Sequence, residues 1–208
     1  MTHPNNIDWI VFDIGGVLIN IDFQPTIGML SQRSGLPEQD VRNVLLGRSD
    51  GGGVLADALS TGKIDLKTYL SETIRALKGC ISPRELIILR QAELTTVNKA
   101  LAQTLPKLKS RYHLACFSNS NVIHWGYMLK NYEFFRHFSV KMGSHIAGAR
   151  KPDVAAYRYI IEQLNAAPER CLLIDDRPEN IAAAQTFGMQ TMLCEDPQHI
   201  AKQLEQLR

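Results

Sequence analysis

The sequence has no run of five or more like charges, no apolar stretch long enough to span a bilayer and no closely spaced cysteine pair. Each absence excludes something. With 23 basic against 21 acidic residues and a formal charge of +2, the chain carries no electrostatic footprint for nucleic acid, so no nucleic-acid partner is expected. A spanning helix needs about 20 consecutive apolar residues, so no membrane partner is expected either. Residues 1–8 are polar and short, lacking the basic region and apolar core of a secretory signal. Cys80, Cys116, Cys171 and Cys194 are widely spaced with no CxxC pair, which fits neither a zinc site nor a disulfide framework. A reducing cytoplasm is the expected setting, and a small molecule the expected partner; nothing bears on oligomeric state.

What is present suits one substantial core with an insertion. At 208 residues, 45% hydrophobic and 21% charged, the chain is too short for two full-sized independent domains. The run Trp9–Asp13 is short, apolar and rich in β-formers, and stops at an acid followed by Gly15 and Gly16, as a buried parallel strand does. His113–Phe117, Cys171–Ile174 and Gln190–Leu193 have the same character, and each follows a stretch that reads as helix. Strands alternating with helices imply crossovers and a parallel sheet. Helices are expected over Asp153–Asn165, just after Pro152, and over Asn180–Phe187, closed by Gly188. Between Asn20 and about Pro106 the pattern changes to amphipathic stretches, Val54–Leu59, Leu66–Leu77 and Pro83–Ala102, with no strand expected. The expectation is an α/β fold: a Rossmann-like parallel core from residues 1–20 and 106–208, with an all-helical cap over 21–105.

In an open parallel sheet, ligands bind beyond the carboxyl ends of the strands. The polar residues that follow the apolar runs are Asp13, Ser118 with Asn119, and Asp175 with Asp176; Lys151 stands just before the Pro152 helix. Three acids in one crevice repel unless a cation joins them, and a hard divalent ion such as magnesium answers that need with oxygen ligands. Asp13 is the candidate nucleophile toward phosphorus, which divides one difficult displacement into two. Asp13, Asp175 or Asp176, and a backbone carbonyl near Gly15 are the candidate metal ligands. Ser118, the Asn119 backbone and Lys151 are the candidate donors to the phosphoryl oxygens, and Lys151 also offsets the acids.

Four segments, FDIGGVL at Phe12–Leu18, SNS at Ser118–Ser120, RKPD at Arg150–Asp153 and LLIDDRPENI at Leu173–Ile181, resemble in order and spacing the motifs of the haloacid dehalogenase-like hydrolase superfamily. The resemblance covers essentially the whole chain and implies a magnesium-dependent phosphatase of small phosphate esters, with a helical cap after the first motif. Ile21-Asp22-Phe23 and the TGKID segment Thr61–Asp65 resemble a branch of bacterial sugar-phosphate phosphatases, notably those acting on glucose 1-phosphate. One departure stands out: where the superfamily's phosphatases place a general acid two residues after the nucleophile, this chain has Gly15. General acid catalysis contributes about 10²–10⁴-fold, so poor leaving groups are expected to suffer. The alternatives are a phosphate-binding or interaction protein weakened by that loss, and a metal-independent 2-haloacid dehalogenase, against which Gly15 and the paired acids both argue.

Of the remaining polar residues, Asn180 is read either as orienting a metal-bound water or as a helix cap, and Asp22 as near the site in sequence only. His3, His124 and His145 are read as surface or packing residues, and Cys116 and Cys171 as core. Gly51-Gly52-Gly53 reads as a turn between cap helices, since no strand precedes it and no Lys-Ser/Thr follows. Arg48, Asp50 and that loop are the expected substrate-selecting residues if the cap closes as a lid.

Overall fold

A computed structural model describes residues 7–47 and 54–207. Five parallel strands form the central sheet in the order β5-β4-β1-β6-β7: β1 (Trp9–Phe12), β4 (His113–Ser118), β5 (Val140–Gly143), β6 (Cys171–Asp175) and β7 (Gln190–Leu193). Their side chains alternate between two buried faces, which is why the runs read as continuously apolar. Ile10, Phe12, Leu114, Cys116, Leu172 and Ile174 face one cluster, completed by α6 (Lys99–Lys109), α7 (Val122–Asn131) and α11 (Pro197–Glu205). Val11, Ala115, Phe117 and Leu173 face the other, under α9 (Val154–Leu164) and α10 (Pro178–Thr186). Each of the Val, Leu, Ile and Phe side chains among these, taken fully from water, contributes about 1.5–3 kcal/mol. The short α8 (Ser144–Ala147) follows β5 directly.

Local chemistry sets the helix ends. α9 buries Ala156, Tyr157, Ile160 and Leu164 along one face and ends at Asn165 in the left-handed conformation. α10 begins at Pro178, two residues before the expected start, because a proline at the first helical position costs no hydrogen bond. Gly188, at φ +96, lies just beyond its end and donates to the Gln185 carbonyl.

The segment after β1 holds α1 (Gln24–Ser34), α2 (Glu38–Leu46), α3 (Val54–Ser60), α4 (Leu66–Ala76) and α5 (Pro83–Ala92). These helices have a cluster of their own, built on Ile27, Leu30, Val41, Leu45, Leu77 and Leu86. Asp65 caps α4 by accepting from the Thr68 N–H, and Ser82 with Glu85 forms a capping box on α5.

Two expectations need correcting. The segment from Asn20 to Pro106 is not wholly helical: β2 (Ile19–Ile21) and β3 (Leu94–Val97) pair antiparallel where the chain leaves and re-enters the core. The amphipathic stretch Pro83–Ala102 is therefore broken by β3, and α6 begins only at Lys99, burying Leu101, Leu105 and Leu108 in the core cluster. The β-branched Thr95, Thr96 and Val97 favour a strand, but their partners lie more than 70 residues away, beyond the reach of a local pattern. The short edge strand β5 was also not expected; its residues Val140-Lys141-Met142-Gly143 have too few apolar positions to stand out.

Candidate functional site

The carboxyl ends of β1, β4 and β6 open on a cavity of about 410 Å³ that is lined by Asp13, Gly15, Ser118, Asn119, Asp176 and Asn180 from the core. Lys151 reaches the same cluster from the loop before α9. Its buried ammonium lies 3.2 Å from Asp13 Oδ1 and donates to Asp175 Oδ2 at 2.5 Å. All seven residues expected at the site therefore converge, although they come from four separate segments.

Asp13 is almost wholly buried, and Oδ1 accepts from the Ile14 N–H at 2.7 Å. Burial pushes its carboxyl up to about 7; Lys151 opposes that, while Asp175 and Asp176 add to it. Burial works to lower the Lys151 ammonium, yet Asp13 and Asp175 outweigh it and hold the group above its ordinary range. Asp176 is raised first by burial and then by Asp175.

The two adjacent acids differ in what they touch. Asp175 is fully buried and its oxygens are occupied: Oδ2 by Lys151, Oδ1 by the Arg177 N–H at 3.0 Å and by Asn180 Nδ2 at 2.8 Å. Asp176, half-buried, lines the cavity. Asn119 turns its side chain away from phosphate duty: Nδ2 donates to the Lys151 carbonyl at 2.7 Å and Oδ1 accepts from the Lys151 N–H at 2.9 Å. That two-way bond fixes the loop carrying Lys151.

Oxygen atoms of Asp13, Asp175 and Asp176 all lie within 4.8 Å of one another. Three carboxylates with one ammonium leave an excess of negative charge, and the donor set is all oxygen, as magnesium requires. Beside them Asn180 Oδ1 is buried without a hydrogen-bond partner, an acceptor that a metal-bound water would satisfy. Asn180 is not the cap of α10; that position is Arg177. Tyr157 donates to the Asn180 carbonyl at 2.8 Å, tying α9 to the start of α10.

Gly15 lines the cavity as expected, but an added Cβ would stand 2.5 Å from Ile21 Cδ1. Ile21 and Phe23 are thus cavity residues, whereas Asp22 is engaged with its own chain, accepting from the Gln24 N–H at 2.9 Å. Of the two readings of His124, surface or packing, the structure gives the second: it is buried and bonds to the cap residues Arg90 and Glu93, and it also lines the cavity. His145 is half-buried, with Nδ1 3.0 Å from the Ser120 carbonyl. Cys116 and Cys171 are buried in the sheet, and burial pushes both thiols up to about 12. Arg48, Asp50, the glycine loop and His3 lie outside the described residues.

From the cap, Asp57 on α3 pairs with Arg150, and both line the cavity. The Ser144 hydroxyl donates to the Ser60 carbonyl at 2.6 Å, a second tie between α3 and the core. Sequence reasoning missed Arg90 and Glu93. The available signal was their place on the buried side of α5 and at its C-cap, at i+4 and i+7 from Leu86, where charge is out of pattern.

Residues 7–188 match the family described as haloacid dehalogenase-like hydrolase. The chain is 26% identical over 198 residues to D-ribitol-5-phosphate phosphatase of Bacteroides thetaiotaomicron, covering 88% of this chain and 89% of that one. Over a shorter stretch of 64 residues, 31% of this chain, it is 41% identical to a flavin mononucleotide hydrolase of Arabidopsis thaliana, of whose length it spans 26%. It likewise spans only 33% of a sesquiterpene phosphatase of Aspergillus oryzae. Among solved structures, a haloacid dehalogenase family enzyme from Bacteroides thetaiotaomicron in complex with magnesium and inorganic phosphate superposes with a TM-score of 0.80 at 24% identity, over 94% of this chain and 99% of that one. A 2-haloacid dehalogenase from Pseudomonas syringae shares the fold less closely, with a TM-score of 0.60 at 16% identity over 90% and 86%. With four motifs gathered at one sheet edge and a family match over most of its length, the chain belongs to the haloacid dehalogenase-like hydrolase family.

Proposed function

We propose that this chain is a magnesium-dependent phosphatase of small phosphorylated metabolites, foremost a sugar phosphate, acting through an aspartyl-phosphate on Asp13. The observation that carries the reading is Asp13 itself: a carboxylate at the end of the central strand, in a cavity wall, with the buried Lys151 ammonium at 3.2 Å. Asp13, Asp176 and the backbone at Gly15 would hold the magnesium, and Asp175 would position Lys151 and Asn180 rather than bind the ion directly. When bound, magnesium supplies Lewis-acid neutralisation of phosphoryl charge.

Asp13 attacks phosphorus, the bond to the leaving oxygen breaks, and that oxygen takes its proton from solvent or substrate, because Gly15 offers none. Water then attacks the aspartyl-phosphate, returning the Asp13 carboxylate and releasing phosphate. Lys151, the Ser118 hydroxyl and the Asn119 N–H donate to the phosphoryl oxygens as charge develops on them. The helices α1–α5, within the 21–105 segment, serve as the cap that limits access of water. Four thiols without a disulfide support a reducing compartment such as the cytoplasm.

The test is phosphate release from aryl, acyl, sugar 1-phosphate and sugar 6-phosphate esters, with and without magnesium, against Asp13→Asn as the blank. Magnesium-dependent release missing from the blank is the expected result. Equal release from the blank would remove Asp13 as nucleophile, and no release from any ester would turn the reading to phosphate binding without turnover.

A further inference from the structure

The phosphate end of the cavity is furnished by the core, and its remaining wall sets the apolar side chains of Ile21, Phe23, Leu45, Leu46, Leu94 and Met128 beside polar ones that include Asn121, His124 and the Asp57–Arg150 pair. Set into that wall is Arg90, its one cationic side chain from the cap among the described residues, which is 3% exposed. Its Nη1 pairs with Glu93 Oε1 at 3.1 Å, and its guanidinium carbon lies 5.9 Å from the centre of the Phe23 ring. Glu93, 1% exposed, has its other oxygen 3.1 Å from His124 Nε2, which is also 2.7 Å from the Arg90 carbonyl. Since Nε2 faces two acceptors, it carries the proton; Nδ1 then accepts from Asn121 Nδ2 at 3.5 Å. Arg90, Glu93 and His124 thus form a chain from the last turn of α5 to the first turn of α7.

One donor in this chain is left over: Arg90 Nε is buried and has no hydrogen-bond partner. A buried donor on a charged group is costly to leave unmade, and such orphans in native structures call for an explanation. Glu93 does not supply it: Oε1 meets Nη1 rather than Nε, and Oε2 faces His124. A guanidinium with an unpaired Nε, fixed by Glu93 beside Phe23 in the cavity wall, offers a planar donor edge with its counter-charge already present. We infer that Arg90 is a specificity-determining residue that receives an oxygen acceptor, a hydroxyl or carboxylate, at the end of the leaving group remote from phosphorus. Glu93 and His124 are positioning residues for it. The substrate class is a phosphate monoester whose alcohol has an apolar-faced body and a polar oxygen at its far end.

This inference rests on the phosphatase reading, and the test separates the two. Phenyl phosphate, 4-(hydroxymethyl)phenyl phosphate and 4-(carboxymethyl)phenyl phosphate have leaving groups of closely similar acidity and differ in the far-end oxygen. The wild-type chain is expected to favour at least one oxygen-bearing ester over phenyl phosphate by about tenfold in kcat/KM, the scale of one hydrogen bond to a charged group. In Arg90→Gln and Arg90→Lys that preference should fall to within about twofold, chiefly through KM. Arg90→Lys keeps a cation for Glu93, and its melting temperature reports folding should Arg90→Gln fail to fold. A preference unchanged in Arg90→Lys, a uniform loss on all three esters, or no preference in the wild-type chain would overturn the inference. If the wild-type chain released phosphate from none of a wider ester panel, the phosphatase reading itself would fall.

Discussion

Asp176 holds its carboxylate against Gly16 so closely that no β-carbon fits between them. Gly16 sits at φ +81, and an ideal Cβ there would overlap Asp176 Oδ2. Gly16 therefore has two reasons to be glycine, a left-handed backbone and the passage of a metal-ligand candidate. The first reason is local; the second comes from a residue 160 positions away in the chain.

Gly16→Ala should accordingly displace Asp176 as well as strain the turn. Its expected cost is about 1–2 kcal/mol of stability from the backbone alone, with magnesium-dependent phosphate release down on the order of 100-fold. Thermal melts and magnesium titration check the two effects separately.

Asp175 and Asp176 should part company under mutation. Asp175→Ala leaves the buried Lys151 with Asp13 as its remaining ion-pair partner, and breaking such a buried pair costs about 3–5 kcal/mol. Asp176→Asn instead removes a like charge from the crevice, so the metal-free protein should melt no lower than the wild type while magnesium loses its stabilising effect. Melting curves of both variants with and without magnesium decide it.

Stability of the metal-free protein should fall as pH rises. The Asp13 carboxyl is raised from 3.8 to about 7 on folding, so between those values the folded chain holds a proton that the unfolded chain has lost. Its contribution is fully present below 3.8 and is lost as pH rises through about 7; the raised Asp176 acts in the same sense. Magnesium must displace that proton, so its increment in melting temperature should be larger at pH 8 than at pH 6. An increment independent of pH would contradict the coupling.

Placing an acid two residues after Asp13, the proposed nucleophile, requires space. Gly15→Asp alone meets Ile21 Cδ1 at 2.5 Å from its new Cβ, so the double variant Gly15→Asp with Ile21→Ala is the informative one. Release from simple alkyl phosphates should rise on the order of 10-fold or more relative to aryl phosphates, since only a poor leaving group needs the proton. An unchanged alkyl-to-aryl ratio would mean that leaving-group protonation does not limit the reaction.

Much of the core was legible because its signals are local. Trp9–Asp13, His113–Phe117 and Cys171–Ile174 are apolar on both faces, each ends at a polar residue, and parallel strands place those ends together whatever their distance in sequence. Asp13, Ser118 and Asp175 could therefore be named before any coordinate, and Lys151 from its place just before the Pro152 helix. The pairing of β2 with β3 could not, since Ile19 meets Val97 across the whole insertion.

The sequence by itself determined which chemical groups stand at the strand ends, because the alternation of apolar runs and polar stops is a local property of the chain. Only the tertiary structure decided how those groups are employed: that Asp175 is spent on Lys151 and Asn180 while Asp176 faces the cavity, that Asn119 braces the Lys151 loop, and that Arg90, Glu93 and His124 meet across the cap and core. Neighbouring residues of identical type differ only in burial and in partners brought from distant segments, and neither quantity exists until the chain has folded.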